Sequence, residues 1–153
     1  MKKVLLLAVM SFALLLAACG SSSTKTFSYE EEGLTSEMTF TYNGDTVENE
    51  VSTTTLEYEA LGLRSQEDAE SVLADFALDL EGVEGVTYNF EYGETEAVET
   101  LEIDYNTVEL SELRSAGIEI EGEEDADTIS MEQTEANLID EGYEVTNEGE
   151  SEE

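Results

Sequence analysis

Carboxylates are nearly the only side chains in this 153-residue chain that could do chemistry. There are 39 Asp and Glu, most of them Glu, against five Lys and Arg, with no His, no Pro, no Trp and one Cys. The missing His excludes Ser-His-Asp triads, Cys-His dyads and zinc sets built on imidazole. A single Cys excludes an intrachain disulfide. A net charge of -34 excludes the basic footprint that nucleic-acid binding needs. Two kinds of carboxylate chemistry remain. Calcium takes six to eight oxygens, several from carboxylates. Glu121, Glu123, Glu124, Asp125 and Asp127 crowd one expected loop, but the Asp-x-Asp-x-Asp-Gly order of an EF-hand is absent. The expectation is weak, diffuse binding of cations such as calcium, with no defined metal site and no cofactor. Glycoside hydrolysis needs two carboxylates across a cleft, one with a raised pKa. In a chain with this many acids a pair is no signal. The aromatics that could line a sugar cleft, Tyr88, Phe90 and Tyr92, alternate in strand phase and read first as core. No catalytic residue is assigned and a non-enzyme is expected. A calcium-binding surface and a small two-carboxylate hydrolase are the alternatives.

The one Cys has a setting of its own. Lys2 and Lys3 precede an apolar run from Val4 to Ala18, broken only by Ser11. The run is shorter than the roughly 20 residues of a membrane-spanning helix. A basic start, a short apolar core and small residues before a cut site make a secretory signal. Its end, Leu16-Ala17-Ala18-Cys19, resembles the lipobox of bacterial lipoproteins. The resemblance implies cleavage between Ala18 and Cys19, a diacylglyceryl group on the Cys19 thiol and acylation of the new amino terminus with a palmitate-like chain. One acyl chain binds a bilayer marginally, whereas two or three anchor it. Residues 1–18 are thus expected as signal peptide, and 19–24 as lipidated Cys and flexible Ser-rich tether. Residues 25–146 are expected as one domain and 147–153 as a disordered acidic tail. After cleavage three bases face all 39 acids, a formal charge of -36. Such a surface is repelled by anionic headgroups, so the lipid alone would hold the protein on the extracytoplasmic face of the cell membrane. A monomer is expected.

The domain between anchor and tail is patterned. Phe27 and Tyr29 share one strand face, and Met38, Phe40 and Tyr42 share another. Asn43-Gly44 then marks a tight hairpin turn. On the return strand, Val47 and Val51 have one parity and Leu56 and Tyr58 the other, which predicts a bulge near Thr53. Ser65 caps a predicted helix whose stripe is Ala69, Val72, Leu73, Phe76, Ala77 and Leu80, with Gly82 as the stop. Val86, Tyr88, Phe90 and Tyr92 form one arm of a second hairpin, turning at Gly93–Glu96 into Leu101, Ile103 and Tyr105. Glu109–Ser115 predicts a short helix. Ser130 with Gln133 resembles a capping box opening a helix over Met131, Thr134, Leu138 and Ile139. Tyr143 and Val145 suggest a short last strand. The predicted fold is α+β: an antiparallel sheet built from two hairpins, with two or three helices packed on one face.

Three stretches carry a family resemblance. They are Tyr58-Glu59-Ala60-Leu61-Gly62 before the first helix, Gly82-Val83-Glu84-Gly85-Val86-Thr87-Tyr88 after it, and Leu101-Glu102-Ile103-Asp104-Tyr105. In this order, behind a lipobox, the chain resembles the YehR-like lipoproteins of Gram-positive bacteria. The resemblance implies a small α+β domain on a lipid anchor and assigns no site residue beyond Cys19. The reading that follows is a membrane-anchored, non-catalytic envelope lipoprotein that binds a protein, cell-wall component or small ligand not identified by the sequence.

Overall fold

The computed structural model describes residues 22–74, 80, 82–118, 120 and 126–150. Among the described residues six strands form one antiparallel sheet. They are β1 (Ser23–Glu31), β2 (Leu34–Asn43), β3 (Thr46–Glu57), β4 (Val86–Tyr92), β5 (Glu96–Asp104) and β6 (Glu144–Glu150). The spatial order is β4-β5-β3-β2-β1-β6. Among the described residues three helices interrupt the strands: α1 (Gln66–Leu73) after β3, then α2 (Leu110–Ser115) and α3 (Met131–Asp140) between β5 and β6. β2–β3 and β4–β5 are antiparallel neighbours, as are β1–β2 and β1–β6, so the sheet extends beyond the two hairpins expected.

All three helices pack on one face of the sheet. Phe27, Phe40 and Val47 from the strands meet Ile129, Met131 and Leu138 from the α3 segment. Tyr58 and Ala97 meet Ala69 and Leu73 of α1. Ile103 meets Val108 and Leu113 around α2. Phe27 and Phe40 touch edge to face, their ring centroids 5.9 Å apart, the geometry the ring quadrupoles favour. The opposite face carries Thr26, Thr39, Thr53 and Thr100 with Glu37 and Glu102, in register across the strands. That separation explains how so acidic a chain folds: one sheet face takes the apolar residues and the other stays in water.

The β2–β3 turn holds the sheet to α3. Its two loop residues are Gly44 and Asp45, one position later than the sequence suggests, because Asn43 pairs with Thr46. Gly44 takes φ +62° and is the only loop residue of the two with positive φ, as a type II′ turn asks of its first central position. This frees Asp45 to cap a helix far away in sequence. Its carboxylate accepts from the Glu132 N–H and the Ser130 hydroxyl, both at 2.8 Å, while the Met131 N–H donates to the Asp45 carbonyl. Those hydrogen bonds hold the Asp45 carboxyl below its ordinary range. Ser130 in turn caps Gln133, as the sequence predicts. In the β1–β2 turn Gly33 sits at φ +80°, and a Cβ there would lie 2.0 Å from that of Ala60.

Several expectations change. The register slips between Thr41 and Tyr42, so Glu48 and not Thr53 is the bulged residue of β3. Val51 is consequently on the solvent face, paired with Thr39 and Glu102. Val72 and Ile139 are about half exposed, outside the helical stripes predicted for them, whereas Ala69, Leu73, Leu80 and Leu138 are buried. Phe76 and Ala77 lie outside the described residues. The sheet also claims residues read as tether and tail. Ser23 and Thr24 belong to β1, and Asn147–Glu150 belong to β6, with Ser23 opposite Glu150. Backbone pairing builds this edge, so no apolar alternation announces it. Lys25 lends it a counter-charge, meeting Glu148 at 2.6 Å and Glu135 of α3 at 2.8 Å.

Phe27 is fully buried where β1, β2 and α3 converge. Phe27→Ala is expected to cost about 3 to 5 kcal/mol of unfolding free energy, read from urea denaturation at constant slope; a loss well under 1 kcal/mol would contradict this core.

Candidate functional site

The bulge at Glu48 decides what β3 presents to the helices. One extra residue on a strand flips every later side chain to the other face. Past the bulge, Glu50, Ser52, Thr54 and Leu56 face the helices, opposite Phe40, Met38, Ser36 and Leu34 of β2. On the other side they face Ile103, Leu101, Glu99 and Ala97 of β5. Two glutamates, Glu50 and Glu99, therefore stand on the buried side of the sheet.

They line a cavity of about 340 Å³ between the sheet and the helical layer. Its floor is Met38, Phe40, Glu50, Ser52, Thr54, Glu99 and Leu101. Tyr105, Ile118 and Ile120 wall it at one end, and Ile129, Thr134, Asn137 and Leu138 roof it from the α3 side. Each carboxyl accepts a phenol O–H. Tyr105 donates to Glu50 at 2.5 Å, and Tyr88 donates to Glu99 at 2.9 Å. Burial pushes the Glu50 carboxyl above its ordinary range, and the Tyr105 hydrogen bond offsets only part of that. Burial and the neighbouring Glu50 push the Tyr105 phenol far up, so it stays protonated and donates. A desolvated carboxyl in a cleft makes this cavity the candidate site: the fold bears the cost of a carboxyl that an apolar residue would spare it.

Of the expected site residues, Cys19 and Ala18 lie outside the described residues, as do Glu121, Glu123, Glu124 and Asp125. Asp127 is exposed and borders a separate shallow groove with Glu109, Ser111 and Arg114. Among the described residues no group of three or more acids or Cys is placed to hold a metal ion. The hydrolase alternative asks for a buried Glu beside aromatics, and Glu50 with Tyr105 and Phe40 meets that half. Glu50 pairs with Ile103 and Glu99 with Thr54, so the backbone positions of the two floor glutamates are offset by four residues, about 13 Å along the strands.

Sequence reasoning misses Glu50 for one reason. Read with Val47 and Val51 as the inward parity, Glu50 points to water. The parity conflict between Val51 and Leu56 is the signal that could have found it, had the slip been placed at Glu48.

The comparisons with known proteins concern the whole domain. A family model described as protein of unknown function (DUF1307) matches residues 23–144. The chain is 35% identical to the uncharacterized lipoprotein Lmo0207 of Listeria monocytogenes, over 88% of this chain and 89% of that one. It is 30% identical to the uncharacterized lipoprotein YehR of Escherichia coli, over 78% and 80%. The NMR structure of E. coli YehR superposes with a TM-score of 0.67 at 26% identity, covering 88% of this chain and 96% of that one. An Escherichia coli relative takes the resemblance beyond the Gram-positive bacteria first expected.

Glu50→Gln keeps an acceptor for Tyr105 and removes the buried charge. Below the ordinary carboxyl value of 4.5 both proteins are neutral at this position and should melt alike. As pH rises through the raised folded value, the wild type holds protons that its unfolded chain releases, so it loses stability that the variant keeps. Differential scanning calorimetry from pH 4 to 8 should show Glu50→Gln melting a few degrees higher at pH 7, with the gap closing in acid. A variant that melts lower at pH 7 would make Glu50 a structural group.

Proposed function

The chain belongs to the DUF1307 family, and from that premise we propose that it is a lipid-anchored, non-catalytic binding domain at the extracytoplasmic face of the bacterial membrane. The relatives named lipoproteins, and Leu16-Ala17-Ala18-Cys19 behind a short apolar run, support the anchor. The diacylglyceryl group sits on the Cys19 thiol, and the acyl chains supply the membrane affinity that a surface this acidic does not. Strand β1 opens at Ser23, so only Gly20, Ser21 and Ser22 separate it from the lipidated residue. The domain is held close to the bilayer.

The observation that carries the binding role is the cavity around Glu50. A chain free to fill this space with Leu or Phe instead keeps the carboxyls of Glu50, Glu99 and Glu141, the hydroxyls of Ser52, Thr54 and Thr134, and the Asn137 amide there. Buried clefts of a few hundred Å³, apolar with a few convergent polar groups, are where small molecules bind. No step of bond making is assigned to these groups.

Two measurements test the reading. Cys19→Ala should leave the protein as unprocessed precursor or release it from the membrane fraction. A cleaved Cys19→Ala chain that still sediments with membranes would overturn the anchor. The other acids are read as a solvated surface whose mutual repulsion opposes folding. Raising NaCl from about 0.1 to 1 M shortens the Debye length from about 10 to 3 Å and should raise the melting temperature by several degrees. Calcium at matched ionic strength should add nothing further; a calcium-specific gain would send attention to Glu121–Asp127.

A further inference from the structure

Resting on the reading of this cavity as a ligand site, we propose that its ligand is a linear aliphatic polyamine, lying along β3 and β5 with one cationic end on Glu50 and the other on Glu99. The sign of the charge comes first. Glu50 and Glu99 stand on the floor, Glu141 lines the α3 side, and among the described residues no Lys or Arg lines the cavity. Of the described bases, Lys25 is engaged with Glu135 and Glu148, Arg114 borders the groove beside Asp127, and Arg64 is exposed just before α1. An anion would enter against these carboxylates with no partner. A cation would find acceptors already aligned, since Tyr88 and Tyr105 each donate to one oxygen of a carboxyl that has a second to offer.

The shape comes from the register. A compact cation would meet one carboxyl and leave the other empty. The two stand about 13 Å apart along the strands, by the four-residue offset. Between them Ser52 lies on β3, with Leu101 beside it on β5 and Met38 on β2, and Thr54 stands opposite Glu99. Leu138 lies over the cavity on the α3 side and Ile118 walls one end. A polymethylene chain suits the apolar side chains there, and an internal amine suits the Ser52 hydroxyl. Ammonium groups at both ends would reach Glu50 and Glu99. A cation at Glu50 also favours the ionised carboxyl that burial disfavours, so ligand and protein each relieve the other's desolvation.

Isothermal titration of the mature, lipidated chain in detergent tests this, with spermidine as the probe. Hexylamine serves as the monocation of similar length, and magnesium as the control for diffuse attraction to the acidic surface. Spermidine should saturate at one per chain and bind at least tenfold tighter than hexylamine. Glu50→Gln and Glu99→Gln should each weaken spermidine at least tenfold, about 1.4 kcal/mol, whereas Glu102→Gln on the solvent face should leave it unchanged. Both cavity variants keep the acceptor for their tyrosine and so keep the fold, which the melting curves check. If hexylamine binds as well as spermidine and responds to Glu50→Gln alone, the two-ended ligand is overturned and the cavity stands as a cation site. If no probe shows binding that depends on Glu50 or Glu99, or if magnesium matches spermidine, the proposal is overturned. Loss of all Glu50-dependent binding counts against the cavity as a ligand site as well.

Discussion

Glu48 has no partner opposite it on β2, where Tyr42 and Thr41 pair with Val47 and Asn49. The backbone there bends into a bulge whose loose end is tied elsewhere. The Glu48 carbonyl accepts from the Tyr105 N–H and the Asn106 side-chain amide, and its carboxylate accepts from the Ser22 hydroxyl. Three segments distant in sequence thus meet at one irregular residue. Because side chains alternate along a strand, everything beyond this point depends on it: Val47 reaches the α3 cluster, Glu50 enters the cavity, and Val51 turns to water. Straightening the strand would exchange these roles and put Val51 where the carboxyl now stands. The same bond network brings Tyr105 over Glu50, so the bulge places both the buried acid and its donor.

The elements that could be read from the sequence are those whose signal is local. Ser65 and Ser130 cap α1 and α3 through their own hydroxyls, to Asp68 and Gln133. The alternation in Val86–Tyr92 is visible within one strand. What could not be read depends on partners remote in the chain. Lys25 meets residues more than 100 positions away, so the strand at Glu144–Glu150 looks like a charged tail until β1 is set beside it. Asp45 looks like a turn residue until α3 arrives at its carboxylate. The cavity was illegible for the same reason: Glu50 and Glu99 come from different hairpins, and only the β3–β5 register puts them on one floor.

The charge distribution follows from the same two-faced sheet. Acids outside the buried face cost little individually, because water and counter-ions screen them. The few polar groups on the inner face are satisfied by near neighbours. Ser36 lies within 3.3 Å of the Thr54 hydroxyl and 3.2 Å of the Tyr143 phenol. Among the described residues no buried side-chain polar atom lacks a hydrogen bond. Burial raises no objection to a Lys25 charge either, since its bonds to Glu135 and Glu148 outweigh the loss of water and lift its pKa. That ion pair therefore persists at any pH at which those two carboxyls stay ionised, until alkali strips the lysine.

The position of β1 has a mechanical consequence. Although it opens the domain, it is an interior strand, bonded to β2 along its whole length and to β6 over most of it. A pull delivered through the amino end runs along the axis of this strand. It must shear two ladders at once, where a terminal edge strand would peel away one bond at a time. Resistance to such force is set by the height of the unfolding barrier and not by the equilibrium stability. With the anchor proposed at Cys19, that is also the direction in which the mooring would be tugged.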